Sequence, residues 1–226
     1  PKSKNNLPKQ FIDFGGWTLF QKTLLRIKNP IFDYPIISTN LFYLNLVRKH
    51  LSKYRIKKYR IILEPYKKNT APAILSCALL KEVNYEQPMI FFPADHLIEK
   101  TNLLNRSINL YKKHLNKDNI FIFGIRPNSP SSQYGYFLTR KTSKNLNKVV
   151  KFIEKPNTSN AKKIVKKNGY WNSGILFARK DSIINNFRKY QFKTLKLCIH
   201  SVNRSKISKN VYYLNKKSFK KIQEKS

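Results

Sequence analysis

The chain has 226 residues, 41% of them apolar, which is enough for one domain with a substantial core. No run approaches the ~20 apolar residues that span a bilayer, and the polar N-terminus shows no signal peptide, so no membrane partner is expected. The net charge of +35 suggests nucleic acid, but its lysines are scattered and come with the Asn, Ile, Tyr and Phe of AT-rich codons, so genome bias accounts for much of it and no specific nucleic acid is expected.

Apolar spacing predicts a helix over 18–27, with Leu19, Phe20, Leu24 and Ile27 on one face. A strand over 34–38, a helix over 41–51, a strand over 61–63 and a helix over 71–80 follow. Met89 to Phe92 reads as a buried strand, 101–114 as a helix and 120–125 as the next strand. Asn128 to Ser132 is a Pro/Ser loop, and 149–156 carries a strand to its end. Ser159 to Lys167 is an amphipathic helix with Ala161, Ile164 and Val165 on one side, 175–178 is an apolar run, and 181–190 is a further helix. From Phe192 onward the chain is basic and weakly patterned. Strands alternating with helices imply an α/β fold with a mixed, mostly parallel sheet and helices on both faces. No linker or composition shift separates a second domain. Cys77 and Cys198 lie far apart among apolar residues and read as reduced thiols of a cytoplasmic protein.

Glu64-Pro65-Tyr66-Lys67-Lys68-Asn69-Thr70-Ala71-Pro72-Ala73-Ile74 joins a strand-like run to a helix. In open α/β sheets such a loop sits where ligands bind, beyond the carboxyl end of a strand. Its carboxylate, amide, hydroxyl and free amides can hydrogen-bond a purine and a sugar hydroxyl. The alternative is a plain helix start, with Asn69 or Thr70 as N-cap and Pro72 in the first turn. Phe152-Ile153-Glu154-Lys155-Pro156 and Tyr170-Trp171-Asn172-Ser173-Gly174 place a second set of polar groups at strand ends. There a Glu can accept from sugar hydroxyls and a Lys can hold a phosphate as a point charge. An exposed ion pair and a turn asparagine are the alternatives.

Together with Pro8-Lys9-Gln10-Phe11, Pro93-Ala94-Asp95-His96, and Phe123-Gly124-Ile125 with Tyr134-Gly135-Tyr136, these segments occur in one order over nearly the whole chain. In that order the chain resembles the sugar nucleotidyltransferases, in particular the bacterial mannose-1-phosphate guanylyltransferases (GDP-mannose pyrophosphorylases). The resemblance implies a Rossmann-like nucleotide-diphospho-sugar transferase fold and transfer from GTP to mannose 1-phosphate, with Mg²⁺ as cofactor. It implies that Glu64, Asn69, Thr70 and Ala71 bind the nucleotide. Gly135, Glu154 and Asn172 would hold the sugar, with Lys155 on its phosphate. Lys9 would stabilise the departing phosphates and Asp95 would hold the metal. From local sequence alone, Asp95 reads equally well as the N-cap of the helix after it. Lys68 stands where the family usually has Arg, keeping the charge but losing the planar fork. A homo-oligomer is compatible with the resemblance.

The family's Gly-rich phosphate loop would fall just before Pro1, and its second metal-binding Asp just beyond Ser226. The expectation is therefore a single nucleotidyltransferase domain over 1–226, incomplete at both ends and inactive by itself. A related enzyme with another base or sugar, or a non-catalytic basic binding protein on the same fold, are the competing readings.

Overall fold

The computed structural model describes residues 7–142 and 146–224. Two compact units divide the chain: Pro1–Ile120 with Ala178–Ser226, and Phe121–Phe177. In chain order the elements begin with α1 (Leu19–Arg26), β1 (Ile36–Asn40), α2 (Leu44–Lys53), β2 (Arg60–Glu64), α3 (Thr70–Ala78) and β3 (Pro88–Phe91). Next come α4 (Thr101–Lys112), β4 (Ile120–Ile125), β5 (Tyr136–Lys141), β6 (Asn147–Ile153), α5 (Thr158–Lys166) and β7 (Tyr170–Arg179). The chain closes with α6 (Lys180–Tyr190), α7 (Phe192–Asn203), β8 (Lys206–Ser208), β9 (Val211–Tyr213) and α8 (Lys216–Lys220).

In the first unit β1, β2 and β9 run parallel, and β8 closes the sheet antiparallel to β9. Strand β2 supplies Ile61 and Leu63 to one face, where they meet Phe20 and Leu24 of α1 and Leu44, Val47 and Leu51 of α2. On the other face, α3 packs against β1 and β2 and against α7. Helices thus cover both faces, as a parallel sheet requires. Local chemistry sets the boundaries. Thr18 Oγ1 accepts from Gln21 N at 3.1 Å while Gln21 Oε1 accepts from Thr18 N at 2.6 Å, a capping box that starts α1. Asn40 Oδ1 accepts from Phe42 N at 3.0 Å and draws Leu41–Tyr43 into a 3-10 turn, so α2 begins at Leu44 rather than at Leu41. Strand β1 lies two residues later than its sequence pattern suggested, because pairing with β2 sets Asn40 opposite Glu64.

The weakly patterned tail is an integral part of this unit. Leu195, Cys198 and Val202 of α7 are buried, and so are Val211, Phe219 and Ile222. Tyr212 donates to the Glu82 carboxylate, which also takes Arg60 Nε at 2.9 Å. Burial and the Glu82 carboxylate push the Tyr212 phenol up to about 12.

In the second unit β5 pairs antiparallel with β6 and with β7, and β4 pairs with β7. One face packs Tyr136 and Leu138 of β5 with Ile153 and Trp171 against Ala161, Ile164 and Val165 of α5. The amphipathic stripe read from sequence is the buried face of that helix. The antiparallel pairing of β5 follows from Tyr136↔Ile153 and Tyr136↔Trp171.

Candidate active site

The first unit carries the residues assigned to the nucleotide, the departing phosphates and the metal. Glu64 ends β2 beside Asn40, the last residue of β1, whose Nδ2 donates to Glu64 O at 3.4 Å. Ser38 Oγ donates to the Glu64 carboxylate. Burial raises the Glu64 carboxyl above the usual range, and the Ser38 hydrogen bond pulls the other way without cancelling it. Neither Ser38 nor Asn40 stood out in the sequence. Their signal is the parallel pairing of two runs that both end in polar residues.

Asn69 occupies the N-cap position of α3, but its side chain makes no capping hydrogen bond. Its backbone sits at φ 60°, ψ −170°, a conformation that glycine adopts readily and an L-residue adopts under strain. Thr70 and Ala71 form the exposed first turn, where helix amides have no intrahelical acceptor. Lys9 begins a 3-10 turn over Lys9–Phe11 and is exposed, while Phe11 is buried beneath it, 5.3 Å from the Phe20 ring centre.

Asp95 lies in the turn after β3, exposed, with His96 Nε2 at 3.8 Å from its carboxylate. Helix α4 starts at Thr101 with Lys100 at its N-cap, so Asp95 does not cap it. Among the described residues no three His, Cys, Asp or Glu gather into a metal cage. A single hard carboxylate oxygen fits Mg²⁺, an ion that commonly keeps its waters and takes its remaining ligands from substrate phosphates.

The second unit brings three of the assigned sugar residues together. Asn172 N donates to Gly135 O at 2.8 Å. A Cβ placed on Gly135 would lie 2.7 Å from Glu154 Oε2, 3.1 Å from Phe152 Cζ and 3.7 Å from Asn172 Cβ. The alternation of β6 sends Phe152 and Glu154 to the same side. Lys155 follows at φ 39°, with Nζ 4.0 Å from Glu154 Oε1, and both side chains are more than half exposed. Such a pair contributes little to stability and leaves both charges within reach of a ligand. Phe152 opens the segment singled out in the sequence but was given no role there; a large apolar side chain two residues before Glu154 is its signal.

A mixed α/β fold with polar groups at its strand ends is the arrangement of an α/β ligand-binding protein. The chain belongs to the nucleotidyl transferase family, whose model matches residues 3–220. It is 30% identical over 225 residues to the alginate biosynthesis protein AlgA of Pseudomonas fluorescens, covering 97% of this chain and 47% of that protein. It is 32% identical over 232 residues to mannose-1-phosphate guanylyltransferase 2 of Escherichia coli O157:H7, covering 97% of this chain and 48% of that protein. The chain therefore spans about half the length of the curated relatives it matches. A crystal structure described as mannose-6-phosphate isomerase from Helicobacter pylori shares the fold, with a TM-score of 0.84 and 26% identity over 96% of this chain and 85% of that one.

Proposed function

We propose that this chain is the nucleotidyl-transfer part of a mannose-1-phosphate guanylyltransferase, forming GDP-mannose and pyrophosphate from GTP and mannose 1-phosphate. The observation that carries the reading is the meeting of Gly135, Glu154 and Asn172 in the second unit. These are the residues the resemblance assigned to the sugar, and they lie far apart in sequence. Relatives at 30–32% identity named for this activity, or for alginate biosynthesis, support it.

In this reading Glu64 and the first turn of α3 bind guanosine, the carboxyl and the exposed amides supplying complementary acceptor and donors. Lys9 places an ammonium against the departing phosphates, where charge builds up during phosphoryl transfer. Glu154 and Asn172 orient the mannose hydroxyls, Gly135 lets the backbone approach the ring, and Lys155 holds the sugar phosphate. An oxygen of that phosphate attacks the α-phosphorus in line and pyrophosphate leaves. Such chemistry rests on positioning and charge neutralisation. Asp95 would hold Mg²⁺, which supplies further neutralisation of the phosphates when bound.

The test is a pyrophosphate-release assay on the full gene product, with GTP, UTP and dTTP against a panel of sugar 1-phosphates. Preference for GTP and mannose 1-phosphate is the expected result. Preference for another pair would identify a relative of different specificity. RNA binding that survived physiological salt, without pyrophosphate release, would replace the enzyme reading with a binding protein.

A further inference from the structure

Arg26, the last residue of α1, is only 4% exposed. Two of its guanidinium nitrogens, Nε and Nη1, are buried without a hydrogen-bond partner. The third, Nη2, donates to His96 O at 3.5 Å. The guanidinium carbon lies 5.5 Å from the centre of the Phe92 ring, and Phe92 meets Phe32 edge-on at 5.9 Å. Among the described residues no carboxylate forms an ion pair with Arg26. Stability alone does not explain such a residue. A cation taken out of water with most of its donors unmatched is unfavourable, and an apolar side chain of similar length would suit the same space better.

Its two contacts fall at the two ends of one short segment. Phe92 ends the approach from β3, His96 closes the turn, and Asp95 lies between them. We infer that Arg26 is a positioning residue for the Asp95 turn, holding the carboxylate by gripping the backbone and ring on either side of it. The guanidinium sits over the Phe92 ring while its Nη2 donates to His96 O, two contacts that a compact lysine ammonium does not make together. The inference rests on the proposed role of Asp95 for its functional half. The structural half, a pinned turn, stands on the contacts alone.

The experiment compares the wild-type protein with Arg26→Met, Arg26→Lys, Asp95→Asn and the double variant Arg26→Met with Asp95→Asn. Hydrogen exchange is followed in peptides covering residues 92–98, with α7 as the internal reference. Binding of Mn²⁺·GTP is measured by the paramagnetic signal of the ion. Arg26→Met should raise exchange in 92–98 by about tenfold while α7 exchange and the melting temperature hold steady or improve, and Arg26→Lys should recover part of the protection. Mn²⁺·GTP should bind more weakly in Arg26→Met and in Asp95→Asn, the two effects failing to add because both act through one carboxylate. Unchanged exchange in 92–98 in both Arg26 variants overturns the inference. Raised exchange with wild-type Mn²⁺·GTP binding in Arg26→Met and Asp95→Asn alike upholds the pinned turn and refutes the metal role of Asp95. Should Arg26→Met fail to fold, Arg26→Lys with wild-type exchange is by itself enough to refute the positioning role.

Discussion

Glu154 Oε2 sits 2.7 Å from the point where a side chain on Gly135 would begin. Gly135 immediately precedes β5 and Glu154 immediately follows β6, its antiparallel neighbour, and the absence of a side chain at one is what makes room for the carboxylate of the other.

Gly135→Ala is therefore expected to act on ligand binding more than on folding. The carboxylate is the far end of a flexible side chain and can swing away, while the Phe152 ring needs to shift only slightly. Stability should fall by no more than about 1–2 kcal/mol. The KM for mannose 1-phosphate should rise at least as far as in Glu154→Ala or Asn172→Ala. Each of those variants loses a hydrogen bond to a polar ligand group, on the order of 1–3 kcal/mol or roughly 5- to 150-fold. GTP binding should change little in all three. Calorimetric melting beside steady-state kinetics checks the split, and a Gly135→Ala protein that unfolds while retaining wild-type sugar kinetics in its folded fraction would contradict it.

Asp95→Asn tests the metal. The side chain is exposed, so its melting temperature should match the wild type within a degree or two. Turnover should drop by about 100-fold, and the Mg²⁺ concentration for half-maximal rate should rise, since charge and not size is what the ion recognises. Wild-type turnover at limiting Mg²⁺ would remove Asp95 from the site.

Glu64 gives a pH dependence with a definite sign. Burial raises its carboxyl in the folded protein, opposed by the weaker effect of Ser38. A raised folded value favours the fold where the group is protonated, and that stability is lost as pH climbs through the folded value. Glu64→Gln, which carries no charge, should therefore melt higher than the wild type at neutral pH. The difference should vanish below about pH 4, where an ordinary carboxyl is itself protonated. Ser38→Ala removes the donor that favours the ionised form, so the carboxyl should rise further. Melting curves from pH 3.5 to 8 decide the matter; a Glu64→Gln deficit of equal size at both ends would show that the carboxylate charge is satisfied rather than strained.

The tail can be weighed separately. Phe219 is fully buried in the first unit while Lys220 beside it is exposed. Phe219→Ala should cost about 3–5 kcal/mol, lowering the melting temperature by roughly 6–20 °C, whereas Lys220→Ala should stay within about 0.5 kcal/mol. Equal small effects at both positions would mean that the segment after Phe192 is not part of the core.

The sequence alone determined the helices with clean apolar stripes, the α/β alternation, and the polar segments at strand ends, because these are written in local spacing and in turn chemistry. The Phe20–Leu24–Ile27 and Ala161–Ile164–Val165 stripes were legible in that way. Only the tertiary structure decided which polar groups meet. Ser38 reaches Glu64 through a strand pairing that spans 26 residues, and Gly135 meets Glu154 and Asn172 through two antiparallel pairings. The tail went unread because lysines interrupt its apolar positions, and its strand β9 is defined by lying parallel to β2 rather than by any pattern of its own. Nothing in the sequence singled out Arg26. Its burial depends on Phe92 and on the turn that ends at His96, some seventy residues away, and a contact made over that distance leaves no trace in local sequence.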